Sequence, residues 1–155
     1  MPAFCPLCAS DDHTSQGKTP DGIAFAVCHD PSHGADGYVW EPWVPKRSLR
    51  SDGIGAELDI WDKLLECVPD DGAFHSYGDI EEALFGRYPA EATVLLHRYG
   101  HKLRDPAHPS NQYSMSAYLG SRLRELHDEG LLDLAWEPAT GSWAHNGVIS
   151  HWKKR

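Results

Sequence analysis

Apolar positions fall into distinct regimes along the chain. In the first, Ile23, Phe25 and Val27 alternate with Ala24 and Ala26 and run into Cys28, a period of two that predicts a short strand with one buried face. Asp21-Gly22 marks a turn before it, and Tyr38-Val39-Trp40 reads as a partner strand. The segment Glu41-Pro42-Trp43-Val44-Pro45 interrupts regular structure, and the polar stretch that follows, with Gly53 and Gly55, reads as a linker over 46–56.

Beyond the linker the period changes to that of helices. Leu58, Trp61, Leu64, Leu65 and Val68 predict a helix over 56–68, ended by Pro69-Asp70-Asp71-Gly72. Ser76 is placed to cap a short helix over 80–85, with Asp79 three residues on. A further helix over 90–104 gathers Ala92, Leu95, Leu96, Tyr99 and Leu103 on one face and His97, His101 and Arg104 on the other. Residues 105–112, with Pro106 and Pro109, read as a loop. The last helix, 116–129, lines up Leu119, Leu123 and Leu126 and stops at Gly130. Segments 131–137 and 142–152, separated by Pro138-Ala139-Thr140-Gly141, predict a two-stranded hairpin.

Chemistry enters first through the cysteines. Cys5, Cys8, Cys28 and His33 form Cys-x2-Cys-x19-Cys-x4-His, the spacing of a closed structural Zn2+ site with one ion held by two knuckles. His29 is the competing fourth ligand; His33 is preferred because a ligand adjacent to Cys28 leaves little room for the chain to turn around the metal. A segment of some forty residues is marginal without such a staple. Cys67, late in an apolar helix, reads as a small buried hydrophobe. The expected division is a zinc-binding ribbon-like module over 1–45, the linker over 46–56 and a second domain over 57–155.

The chain of 155 residues carries a net charge of −9, distributed unevenly. Residues 1–45 contribute −5, residues 46–96 contribute −6, and residues 97–155 contribute +2 together with six of the ten histidines. Only the last third is electrostatically suited to phosphates. No run of about 18 apolar residues is present and no basic, apolar leader opens the sequence, so no membrane partner is expected. Cysteines in metal spacing rather than disulfide spacing point to a cytoplasmic location.

The stretch Leu119-Gly-Ser-Arg-Leu-Arg-Glu-Leu-His-Asp-Glu-Gly-Leu-Leu132 resembles the recognition helix of winged helix-turn-helix proteins, and the hairpin that follows matches the strand-turn-strand wing of that family. The resemblance covers roughly residues 57–155, and its specific part is fourteen residues. It implies an α+β architecture: a small zinc-ribbon-like module, then a mainly helical winged helix-turn-helix domain with a C-terminal β-hairpin wing. It also implies binding to double-stranded DNA, as in a transcription regulator or the target-reading part of a phage or defence system, and it leaves room for a homodimer reading two half-sites. With the leucines turned inward, Ser116, Ala117, Gly120, Ser121 and Arg124 face outward and Arg122 lies on the flank, where either arginine can reach guanine or a phosphate. Lys153 and Lys154, with Arg155, are expected to supply further phosphate contacts, since the wing tip carries no Lys or Arg.

Ser76-Tyr77-Gly78-Asp79-Ile80 is similar to the segment opening the DNA-binding helices of alkylguanine transferases, which would make the helix with His97, Arg98, His101, Lys102 and Arg104 the reader instead. The Pro-Cys-His-Arg nucleophile motif of those enzymes is absent. So are His-Glu-x2-His, Gly-x-Ser-x-Gly and the phosphate-binding Gly-x4-Gly-Lys-Ser/Thr loop, so no enzymatic activity is expected. The competing non-enzymatic function is protein assembly, with the acidic zinc module and its tryptophans meeting a protein partner; a small zinc-dependent nuclease is the third alternative.

Overall fold

The computed structural model describes residues 5, 7–8, 10–19, 23–31, 38–40, 50, 53–100, 114–140 and 148–155. Among these the chain is mixed α+β, with five helices and two three-stranded antiparallel sheets. The first sheet contains β1 (Thr14–Lys18), β2 (Ala24–Cys28) and β3 (Tyr38–Trp40) in sequential order. Helices α1 (Gly53–Leu58) and α2 (Ile60–Cys67) precede the short strand β4 (His75–Ser76), followed by α3 (Tyr77–Arg87), α4 (Pro89–Tyr99) and α5 (Met115–Asp128). Strands β5 (Leu132–Pro138) and β6 (Val148–Lys154) complete the second sheet, ordered β4-β6-β5.

β2 is central in its sheet, with Gly17 opposite Phe25 and Val39 opposite Val27. A strand alternates its side chains, so Phe25 and Val27 share one face and Ala26 and Cys28 the other. All four are buried. The expectation of a single buried face is corrected here: Phe25 and Val27 enter the core built by the helices, while Cys28 meets other cysteines on the reverse face. Gly17 is required in this register, because a Cβ there would come within 2.8 Å of the Phe25 ring.

The predicted first helix begins earlier and is interrupted. α1 starts at Gly53, inside the stretch read as linker, and Asp59 adopts a left-handed conformation (φ 53°) that separates α1 from α2. Two glycines suggested a breaker, yet Gly55 is buried, where a residue without a side chain permits close packing. Arg50, also left-handed (φ 59°), is fastened to the helices. Its guanidinium donates to both carboxylate oxygens of Glu129 (2.9 and 3.0 Å) and to Asp62 (3.0 Å), and its amide donates to Glu125 at 3.1 Å. Residues 46–49, 51 and 52 lie outside the described residues.

The remaining helices follow their caps. Ser76 accepts from the Asp79 amide at 3.2 Å and starts α3, as the sequence predicts, although that helix extends to Arg87 rather than ending at 85. Pro89 opens α4 directly after Tyr88, where a missing amide hydrogen costs nothing. Ser114 caps α5 through the Ala117 amide, and the Met115 amide donates to Gly100 O at 2.9 Å, bringing the start of α5 to the end of α4. Tyr99 and Tyr118 stack across that junction at 4.9 Å. Gly130 (φ 85°) ends α5 in a left-handed cap, in which the Gly130 and Leu131 amides donate to His127 O and Leu126 O.

The core is continuous. Ile60, Leu64, Ile80, Leu84, Leu95, Leu119, Leu123, Leu126 and Trp152 are buried together with Phe25 and Val27. Two strands, β1 and β4, have no counterpart in the hydrophobic pattern. β1 is polar (Thr14-Ser15-Gln16-Gly17-Lys18), and β4 is only two residues long.

Candidate metal centre and nucleic-acid interface

The cysteine cluster is built from one turn and one strand end. The Cys5 amide donates to Ser10 O at 3.0 Å and closes the loop 5–10, and the Leu7 amide points at Cys5 Sγ at 3.4 Å. This is an arrangement that orients a sulfur and satisfies it when it is a thiolate. Cys28 arrives from the end of β2. The three sulfurs of Cys5, Cys8 and Cys28 lie within 4.8 Å of one another, with Cys8 and Cys28 at 3.8 Å, and can hold a metal ion.

Cys5 and Cys28 are buried; Cys8 is half-buried. Burial pushes the Cys28 thiol up to about 11, opposed by the Asp30 amide and reinforced by the neighbouring Cys5 and Cys8 thiols. The Cys28 thiol thus resists ionisation until a cation compensates the charge. His29 does not join the cluster: its ring is exposed, with Nε2 3.3 Å from Ser15 Oγ, and its amide donates to His13 O. His33 lies outside the described residues. Cys67 is buried on α2, apart from this cluster, and burial pushes its thiol up too.

The module meets the helical region at an aromatic seam. Tyr38 of β3 stacks on Trp40 at 5.7 Å and meets Trp136 of β5 edge-on at 5.6 Å. Desolvation pushes the Tyr38 phenol up, with Cys5 adding to the shift and Arg124 opposing it. One ring therefore feels both the cysteine cluster and α5.

That seam bears on the predicted reading helix. Leu119, Leu123 and Leu126 are fully buried, as expected, but so are Met115, Tyr118, Arg122 and Glu125. The expectation for Arg122 is corrected: it is 1% exposed, its guanidinium lies 4.8 Å from the Tyr118 ring centre, and it forms an ion pair with Glu125. The physical reason is packing of α5 by α2, α3, α4, β3 and β5 together, which covers more of its circumference than a leucine stripe implies. Ser116, Ala117, Gly120 and Ser121 are half-buried, and Ser116 donates to the buried Glu81 at 3.1 Å. Arg124 alone of the arginines on α5 is exposed, with a side chain 54% accessible, and it lies 3.7 Å from Asp128. Lys153 lies 3.8 Å from Asp133 and over the Phe74 ring, and Lys154 is half-buried opposite Leu132.

α4 presents a different surface. Ala92, Leu95 and Tyr99 face the core, and Thr93, Val94, His97 and Arg98 are exposed, Val94 to 46%. His101, Lys102 and Arg104 lie outside the described residues, as do residues 141–147 of the hairpin. No helix among the described residues is long and apolar enough to cross a membrane. Comparison with protein-family models, with curated proteins and with solved structures yields no match for this chain.

Proposed function

We propose that the chain is a duplex DNA-binding protein of helix-turn-helix type, with α4 as the helix offered to the major groove and the N-terminal module acting as a zinc-stapled, ribbon-like brace. The observation that carries this reading is the contrast between the two candidate helices. α3 passes into α4 through Tyr88 alone, and α4 keeps Thr93, Val94, His97 and Arg98 on an exposed face. An α-helix entering the major groove reads bases with just such a face: short polar and apolar groups for close approach and an arginine for guanine or phosphate. α5 serves as the buried prop behind it, with Arg124 at its margin.

Zinc is supported by the donor set. Three thiols at this separation favour a thiophilic ion that accepts tetrahedral geometry, and the sequence spacing supplies His33 as the fourth ligand. When bound, the ion supplies charge compensation for the thiolates and cross-links the turn at 5–8 to the end of β2. With four protein ligands the site is structural, and the role of the module is to brace β3 against α5 and β5.

The test is selection of bound duplexes followed by salt titration. Wild type should enrich a preferred sequence, with affinity falling as salt rises. Arg98→Ala should cost about 1–3 kcal/mol if it reads a base, and Arg124→Ala should cost less. Absence of duplex binding at low salt would overturn the reading in favour of protein assembly.

A further inference from the structure

We propose that Cys8 and Cys28 form a peroxide-sensitive disulfide site whose closure discharges the metal; the proposal rests on the metal reading above. Three observations lead to it. The two sulfurs lie 3.8 Å apart, so about 1.8 Å of approach brings them to disulfide bonding distance. Cys8 sits in a turn rather than a strand, so the approach requires rotation of one side chain and a local shift, not a rearrangement of the sheet. Accessibility is also asymmetric: Cys5 and Cys28 are buried while Cys8 is half-buried, which gives a small oxidant one point of entry and a second thiol behind it to trap the product.

The chemistry balances with a hydroperoxide as the oxidant. The Cys8 thiolate attacks the O–O bond, forming a sulfenic acid and releasing hydroxide. The Cys28 thiolate then attacks the sulfenic sulfur, the S–S bond forms, and a second hydroxide leaves. Two thiolates have lost two electrons in total, and the peroxide, with two protons from solvent, has become two waters. Cys5 and a single histidine are then too few to hold the ion, which departs. Because β2 carries both Cys28 and the core residues Phe25 and Val27, and β3 carries Tyr38 onto Trp136, the loss is felt at the seam with α5 and β5.

The experiment treats the zinc-loaded full chain with hydrogen peroxide, follows free zinc with a chromogenic chelator, and maps thiols and disulfides by alkylation and mass spectrometry. The expected result is one zinc released per Cys8–Cys28 disulfide, with Cys67 still alkylated after denaturation and the zinc-loaded state restored by dithiothreitol and zinc. Cys67→Ser should behave as wild type. Release of zinc with Cys8 and Cys28 still reduced, a bridge to Cys5 or Cys67 in place of theirs, or a sulfinic acid at Cys8 as the main product would overturn the proposal. A zinc-loaded chain that resists peroxide would sink the switch and leave the metal site standing. A chain that carries no zinc yet forms the Cys8–Cys28 bridge would sink the metal reading and leave the oxidation site standing.

Discussion

The first forty residues and the last hundred hold themselves together by different means. The helical region buries its own core, with Leu64, Leu84, Leu95, Leu119, Leu123 and Trp152 packed from several elements. Among the described residues, the N-terminal sheet sends Phe25 and Val27 into that core with Val39 partly buried against it, and its other face carries Cys28 toward Cys5 and Cys8. One region is stabilised by area removed from water, and on the proposed reading the other depends on a metal cross-link between its cysteines. They should therefore fail separately under metal removal and together under loss of core packing.

Metal removal is the strongest lever. Structural zinc in small modules contributes about 10–16 kcal/mol of apparent binding energy, so Cys5→Ser or a chelator should sharply lower hydrogen-exchange protection in β1–β3, leaving only what the packing of Phe25 and Val27 in the core supplies, while amides of α2–α5 stay protected. Simultaneous loss in both regions would show one cooperative unit and break the contrast. Next in size is Leu119→Ala, expected to cost about 2–5 kcal/mol through lost burial and a cavity. Denaturant unfolding should register it, with both regions weakened because Phe25 and Val27 share that core.

Arg50 sharpens the comparison at the junction. Arg50→Ala removes hydrogen bonds to Glu129 and Asp62 from a guanidinium about one-third exposed, so about 1–2 kcal/mol is expected after allowing for solvent screening. A double-mutant cycle with Glu129→Gln should recover most of that as coupling. Ser76→Ala, which deletes the cap of α3, should cost about 1 kcal/mol and leave the zinc content unchanged.

The pH response separates the regions as well. In the metal-free chain the Cys28 thiol is raised from 9.0 to about 11, so the folded state favours the protonated form. That contribution is fully present below pH 9 and lost as pH rises through about 11. β2 amides of the metal-free chain should accordingly lose protection across that interval, whereas the zinc-loaded chain, whose thiolates are already formed, should weaken instead as pH falls and protons compete with the ion. Equal behaviour of the two forms in alkali would contradict the sign.

What the sequence revealed follows from how each element is held. Amphipathic helices advertise themselves, so the sequence pattern puts Ala92, Leu95 and Tyr99 of α4 and Leu119, Leu123 and Leu126 of α5 on the buried side, where the structure has them. The gathering of Cys5, Cys8 and Cys28 into one cluster that could hold a metal ion was legible because the spacing itself is the signal. β1 and β4 were not legible, since a polar or two-residue strand is specified by its partner rather than by its own pattern. Arg122 was misplaced for a related reason. Helical periodicity tells which face is most apolar, but it does not reveal that five neighbouring elements enclose the helix and that Glu125 and Tyr118 accommodate a buried guanidinium. Arg50 carried no signal at all, because its partners lie 12 to 79 residues away.

The central claim, that the DNA-facing helix is α4 while α5 and the metal module form its support, is tested most directly by amide chemical-shift mapping of the zinc-loaded chain against its selected duplex. The account predicts perturbations concentrated at Thr93, Val94, His97 and Arg98, with β1–β3 and the buried turn of α5 around Arg122 unchanged. Perturbations centred on Arg124 and Trp136 with α4 silent, or none anywhere at low salt, would contradict it.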